Sequence, residues 1–267
     1  MTVVSTGEIE LDYERSGSGP PLLLIMGMAG TALHWGEPFL DALRSDFEVI
    51  VYDHRGVGAS SRVEGALTIG ELAADAAGLL TALHIDSAHV MGISMGGMVA
   101  QELTLAHPGL VRTLTLGATT AQGAGSPPPA PAVMEGLRAE AMTGSREGIT
   151  RLAWELNVSP RFATDDEAWA RFLAAGERRV VALPVMMAQL RAVIEFDTRS
   201  RLGQLKLPTL VMHGTFDEVI SVANGRTLAK LIPGARLEIF DGAGHLFFLE
   251  SPERSAELVR AHAAVHV

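Results

Sequence analysis

The sequence predicts an α/β fold: a mostly parallel sheet flanked by helices, with a helical lid inserted late in the chain. Three observations carry this expectation. Short apolar runs of strand length alternate with longer segments whose apolar residues recur at helical spacing, and such alternation implies βαβ units with both sheet faces covered. The alternation breaks once, over residues 121–200, where no convincing strand pattern is found. The chain has 267 residues, 48% of them hydrophobic, enough to bury a large core without disulfides or a structural metal.

Taken in order, residues 7–15 alternate Ile9, Leu11 and Tyr13 and fit an antiparallel edge hairpin. Residues 22–26 follow a Gly-Ser-Gly-Pro-Pro turn and read as a buried strand, as do 47–52, 88–93 and 111–116. Segments 69–83 and 95–106 between them have helical spacing. Residues 123–131, Gly-Ala-Gly-Ser-Pro-Pro-Pro-Ala-Pro, have the composition of a linker. Beyond it come helices, for example at 168–179 and 185–194. Strands resume at 209–212 and 237–240, with helices at 222–231 and 252–264. The expected division is a core of residues 1–120 and 201–267 and a helical cap of residues 121–200.

Composition excludes several function classes. There is no Cys, so thiol nucleophiles, zinc fingers and iron–sulfur sites are out. The net charge is −10, which argues against nucleic acid, because phosphate binding needs clustered Lys and Arg. The first apolar run is broken by Gly27 and Gly30 and falls far short of the ~20 residues of a membrane span. No basic-then-apolar leader opens the chain, so a cytoplasmic protein without membrane contact is expected.

The chemistry concentrates in three loops. Gly92-Ile93-Ser94-Met95-Gly96 is a G-x-S-x-G pattern, weak by itself in a chain with 28 Gly. Its setting sharpens it: it falls where a strand ends and a helix begins, as a nucleophile elbow requires. Glycines let the backbone take the strained turn that exposes the serine hydroxyl. A plain Gly-rich βα turn is the bland alternative. A serine hydroxyl needs a base held by a third group. Of nine His, His34, His84, His107, His262 and His266 read as surface or helix-end residues, and His89 and His213 as core groups within strands. His54 follows Asp53 at a strand end and stays in view. His245 lies in Asp-Gly-Ala-Gly-His after the last strand, on the same carboxyl edge of the sheet as Ser94, where ligands bind in such folds. Asp217 follows strand 209–212 on that edge, with Glu218 as its rival and Asp53 as an outside candidate that reads better as structural. The order Ser94, Asp217, His245 results. For the oxyanion, the amide of Met95 and an amide of the Gly-rich turn at 26–31 are available, and we choose Met28.

These motifs resemble the α/β-hydrolase superfamily over nearly the full length. Gly92 to Gly97 looks like its elbow, and Asp53-His54-Arg55-Gly56-Val57-Gly58-Ala59-Ser60 looks like the turn after its second parallel strand. Met26-Gly27-Met28-Ala29-Gly30 stands where the family has His-Gly-x-x-Gly, with Met26 in place of the His. The resemblance implies an eight-stranded, mostly parallel sheet with an inserted lid. Within the superfamily, Ser-Met-Gly-Gly-Met and Gly-His-Leu-Phe-Phe-Leu-Glu-Ser-Pro-Glu are similar to 3-oxoadipate enol-lactonases, polyketide methylesterases and cofactor-free haloperoxidases.

The expected reaction is acyl transfer. Ser94 attacks a carboxylic ester or lactone of a small, largely apolar substrate, His245 takes the proton, and Asp217 orients the imidazole. Perhydrolysis or C–C bond hydrolysis would use the same triad, and a ligand receptor on a hydrolase scaffold is the non-catalytic alternative. No cofactor or metal is expected, since the chain lacks H-E-x-x-H, a P-loop and G-x-G-x-x-G. Gly27, Met98, Met186 and Phe247 are the candidate pocket residues. Met134, Met142, Met187, Trp154 and Trp169 add an apolar lining or ordinary packing. The natural substrate and the oligomeric state are not encoded in any motif.

Overall fold

The computed structural model describes residues 2–123 and 146–266. Eight strands form one sheet in the order β1-β2-β4-β3-β5-β6-β7-β8. They are β1 (Thr2–Ser5), β2 (Glu10–Gly17), β3 (Pro21–Ile25), β4 (Glu48–Tyr52), β5 (Ala88–Ile93), β6 (Val111–Gly117), β7 (Thr209–Gly214) and β8 (Arg236–Phe240). β1–β2 and β2–β4 pair antiparallel, and β4 through β8 run parallel. The expected edge hairpin exists but is shifted: Gly7 is its turn, at φ 101°, and the first strand precedes it.

Successive side chains of a strand point to opposite faces, and the core divides accordingly. Leu23, Ile25, Ile50, Tyr52, Val90 and Val211 face one side, under helices α2 (Ile69–Ala82) and α3 (Met95–Ala106). Leu22, Leu24, Val49, Val51, Met91 and Met212 face the other, under α1 (Glu37–Arg44) and a C-terminal helix at Pro252–Ala263. Both faces are covered, which is why the central strands are apolar throughout. Helix α1, absent from the sequence-based expectation, turns Phe39, Leu40 and Leu43 inward. His262 stands in the last turn of the C-terminal helix, the helix-end alternative of the sequence reading, and it is buried: the helix presses on β6 and brings its Nε2 within 3.2 Å of the Leu114 carbonyl.

Between β6 and β7 stand α4 (Arg146–Asn157), α5 (Asp166–Arg178) and α6 (Leu183–Glu195). The chain leaves the sheet and returns to it at one place: Gln122 bridges Asp197, and Thr198 N–H donates to the Ala121 carbonyl at 3.1 Å. Arg179, just after α5, ties this insert to the sheet layer by pairing with Asp12 at 2.8 Å and with Asp53. Most of the Pro-rich stretch at 123–131, with Met134 and Met142, lies outside the described residues. After β7 come α7 (Val222–Leu231), α8 (Phe247–Glu250) and α9 (Pro252–Ala263), the last being the C-terminal helix named above. Among the described residues, no helix is long and apolar enough to cross a membrane.

Candidate active site

Ser94 sits between β5 and α3 at φ 56°, ψ −123°, a conformation that L residues avoid. Its neighbours hold it there. Ser94 N–H donates to the Gly117 carbonyl at 3.0 Å, and the Ser94 carbonyl accepts from Gly97 N–H at 2.9 Å and Thr119 Oγ1 at 2.7 Å. The pattern glycines are required by close approach. A Cβ on Gly92 would lie 2.1 Å from the Gly96 carbonyl oxygen, and one on Gly96 only 2.0 Å from that of Ile25. A Cβ on Gly27 would meet the Ser94 Cβ at 3.1 Å, so the turn after β3 rests directly against the elbow.

Asp217 and His245 are brought together from the loops after β7 and β8. His245 Nδ1 lies 2.8 Å from Asp217 Oδ2, and both groups are buried. The loop around Asp217 supplies two further donors, the N–H groups of Val219 (3.0 Å) and Ile220 (2.8 Å), both to Oδ1. Burial by itself would raise the Asp217 pKa. The imidazoles of His245 and His213 outweigh it and hold the carboxyl at about 2, so it is ionised and accepts. His245 Nδ1 therefore carries the proton of that bond, which leaves Nε2 free to accept one. Among the described residues no hydrogen bond joins Ser94 Oγ to His245. Glu218 is exposed and Asp53 is engaged elsewhere, with Oδ1 accepting from Ala32 N–H at 2.7 Å. His54 is also occupied, its Nε2 lying 2.9 Å from the Met26 carbonyl.

Met95 opens α3, where a first-turn N–H has no partner within the helix. Met28 N–H makes no hydrogen bond to a described residue. The Met28 turn is set by Gly30 N–H donating to the Gly27 carbonyl at 3.2 Å, and by Ala29, held at φ 58°. Of the other expected pocket residues, Met98 and Phe247 are buried in the core, the Phe247 ring tilted against Phe240 at 4.6 Å centroid separation. Met186 is half-buried on α6.

Further residues support these groups. His213, read as an ordinary core residue, places Nε2 3.0 Å from Asp217 Oδ2 and 2.7 Å from the Ile220 carbonyl. A carbonyl can only accept, so Nε2 carries the proton. Gly225 makes room for this ring, since a Cβ there would lie 2.7 Å from Nδ1. Gln189 of α6 is fully buried, and its Oε1 accepts from Ala29 N–H at 2.9 Å. Glu250 accepts from the N–H groups of Gly244 and Ser159, each at 2.8 Å, and so ties the His245 loop to the insert. Among the described residues no cluster of three or more His, Asp or Glu could hold a metal.

The profile of the alpha/beta hydrolase family matches residues 22–258. The chain belongs to that family. Among its relatives, a protein named as a carbamate hydrolase, RutD, from Azorhizobium caulinodans is 32% identical over 97% of both chains. The 3-oxoadipate enol-lactonase 2 of Acinetobacter baylyi is 30% identical, covering 95% of this chain and 93% of its own. A solved thermophilic esterase from Thermogutta terrifontis superposes with a TM-score of 0.80 at 28% identity, over 100% of this chain and 99% of that one. In this alpha/beta hydrolase, Gly92 and Gly96 are required beside Ser94 for the steric reasons given above.

Proposed function

We propose that the protein is a serine hydrolase that cleaves a carboxylic ester or lactone of a small, largely apolar substrate through an acyl-enzyme on Ser94. The observation that carries this reading is the 2.8 Å contact between His245 Nδ1 and the ionised Asp217, on the sheet edge where the strained elbow presents Ser94. It supports the tautomer in which Nε2 is free to act as the base.

In the first half-reaction Ser94 Oγ bonds to the substrate carbonyl carbon while His245 Nε2 takes its proton. The Met28 and Met95 N–H groups receive the developing oxyanion. The C–O bond then breaks and His245 returns the proton to the leaving alcohol. In the second half-reaction a water, deprotonated by His245, attacks the acyl carbon and Ser94 is released with its proton restored. The helices between β6 and β7 would act as the lid that excludes water and shapes the acyl site. Enol-lactonase and esterase relatives support the substrate class, and the RutD relative makes a carbamate the first comparison substrate.

The test is turnover of a p-nitrophenyl ester series beside a lactone and a carbamate. Ser94→Ala is expected to lower kcat about 10⁴-fold or more, as loss of a triad nucleophile does. A fluorophosphonate should add its mass to the Ser94 peptide. Wild-type turnover by the Ser94→Ala protein would overturn the reading.

A further inference from the structure

A concavity lies where the insert meets the sheet layer. It is a cavity of about 260 Å³ between α5 on one side and the segment 33–39 with α8 on the other. None of Ser94, Asp217 and His245 lines it. Its walls are largely aromatic, with Phe172 and Trp154 at 5.2 Å centroid separation on the insert side and Phe39 and Phe248 at 5.4 Å on the other.

Two polar features depart from this apolar lining. His34 Nδ1 accepts from Thr31 N–H at 3.0 Å, which leaves the ring proton on Nε2. Burial pushes the His34 pKa down to about 4, so the ring is neutral at ordinary pH. Among the described residues nothing accepts from Nε2–H, and Gly176 opposite presents no side chain. The second feature is Arg171 and Arg178, two helical turns apart on the α5 face that lines the cavity. Arg171 has Glu167 at 3.5 Å, and no described carboxylate lies within ion-pair distance of Arg178. Glu37, the lining acid, is already engaged by Arg44 at 2.6 Å.

We propose that this cavity binds a small aromatic carboxylate, its ring between Phe172 and Phe248, one oxygen accepting from His34 Nε2–H and its charge met by the Arg178 guanidinium. The volume is just below the ~300 Å³ at which drug-sized pockets begin, which matches a single ring with a short acid arm. A polar donor fixed inside an apolar pocket is how such sites orient a ligand. The bound molecule would touch insert and sheet layer at once. Because His34 is hydrogen-bonded to Thr31, at the end of the Gly27–Gly30 turn, it would also touch the segment that carries the Met28 amide. The proposal goes beyond the hydrolase reading and stands without it.

Phenylacetate is the probe, phenylacetamide its uncharged isostere, and the Ser94→Ala full-length chain the host. Titration calorimetry should give one site, and the indole N–H resonance of Trp154 should move on binding. Arg178→Ala, an exposed rim change that keeps the fold, should weaken phenylacetate about tenfold, the scale of a charge-assisted hydrogen bond, and leave phenylacetamide unchanged. Ala175→Leu, which fills the cavity, should abolish both. Absence of binding would overturn the proposal. So would binding that leaves Trp154 unmoved, or that Arg178→Ala does not weaken, since the ligand would then sit elsewhere.

Discussion

At the scale of single residues, Asp217 is densely supplied, with two backbone N–H donors on Oδ1 and two imidazoles on Oδ2. Its pKa is depressed from 3.8 to about 2. A depressed carboxyl stabilises the fold above its unfolded value, and that stability is lost as pH falls through the folded one. Chemical denaturation of the wild type should therefore lose on the order of 2 kcal/mol between pH 5 and pH 2 through this group. Asp217→Asn should flatten that part of the profile and, on the proposed acyl-enzyme mechanism, lower ester kcat about 10⁴-fold. Gln189 invites a different measurement. Its acceptor holds Ala29 in a left-handed conformation beside the Met28 amide, so Gln189→Leu should lower kcat by ~10-fold or more with little change in KM. Adding Ala29→Gly, which removes the backbone strain, should restore part of the rate. The placement of Ser94, Asp217 and His245 on one sheet edge was legible because each sits in a loop after a strand, where a local pattern marks the position. Gln189 was not, because its partner lies 160 residues away and nothing near it in sequence marks the contact.

Among the elements, α2 shows how far local chemistry reaches. Thr68 Oγ1 accepts from Glu71 N–H at 3.1 Å while Glu71 Oε2 accepts from Thr68 N–H at 2.8 Å. This reciprocal pair starts the helix where the sequence-based reading placed it. Thr68→Ala should cost about 1 kcal/mol in urea denaturation. The eight residues of α1 carry too short a pattern to mark a helix in the sequence, although Phe39, Leu40 and Leu43 share one face. The segment has only two turns, and its face is decided by α9, which packs on it from more than 200 residues downstream. His262 reads as a surface or helix-end residue for a related reason: its place in the last turn is local, but β6 beneath the helix determines that it faces inward and finds the Leu114 carbonyl. Sequence periodicity marks an apolar stripe, and it does not say how deep the stripe is buried.

Over the whole molecule, one guanidinium carries much of the join between insert and sheet. Arg179 faces Asp12 and Asp53, both buried. Burial pushes the Asp53 carboxyl up despite the Ala32 N–H and the guanidinium. Removing the cation leaves two carboxylates facing each other in low dielectric, a loss of ~3 kcal/mol or more. Arg179→Met should show it in thermal or urea unfolding. For a carboxyl whose folded pKa is raised, stability falls as pH rises through that value. The deficit of Arg179→Met should therefore be larger at pH 8 than at pH 5, and Asp53→Asn should recover part of it at pH 8. The chain crosses between the two layers at the Gln122–Asp197 bridge, where departure and return run side by side. A module whose two ends meet can be lengthened, shortened or exchanged without moving a strand or shifting a register. The strand order can thus stay fixed while the stretch between β6 and β7 varies, so long as Arg179 and Gln189 keep their partners on the sheet side.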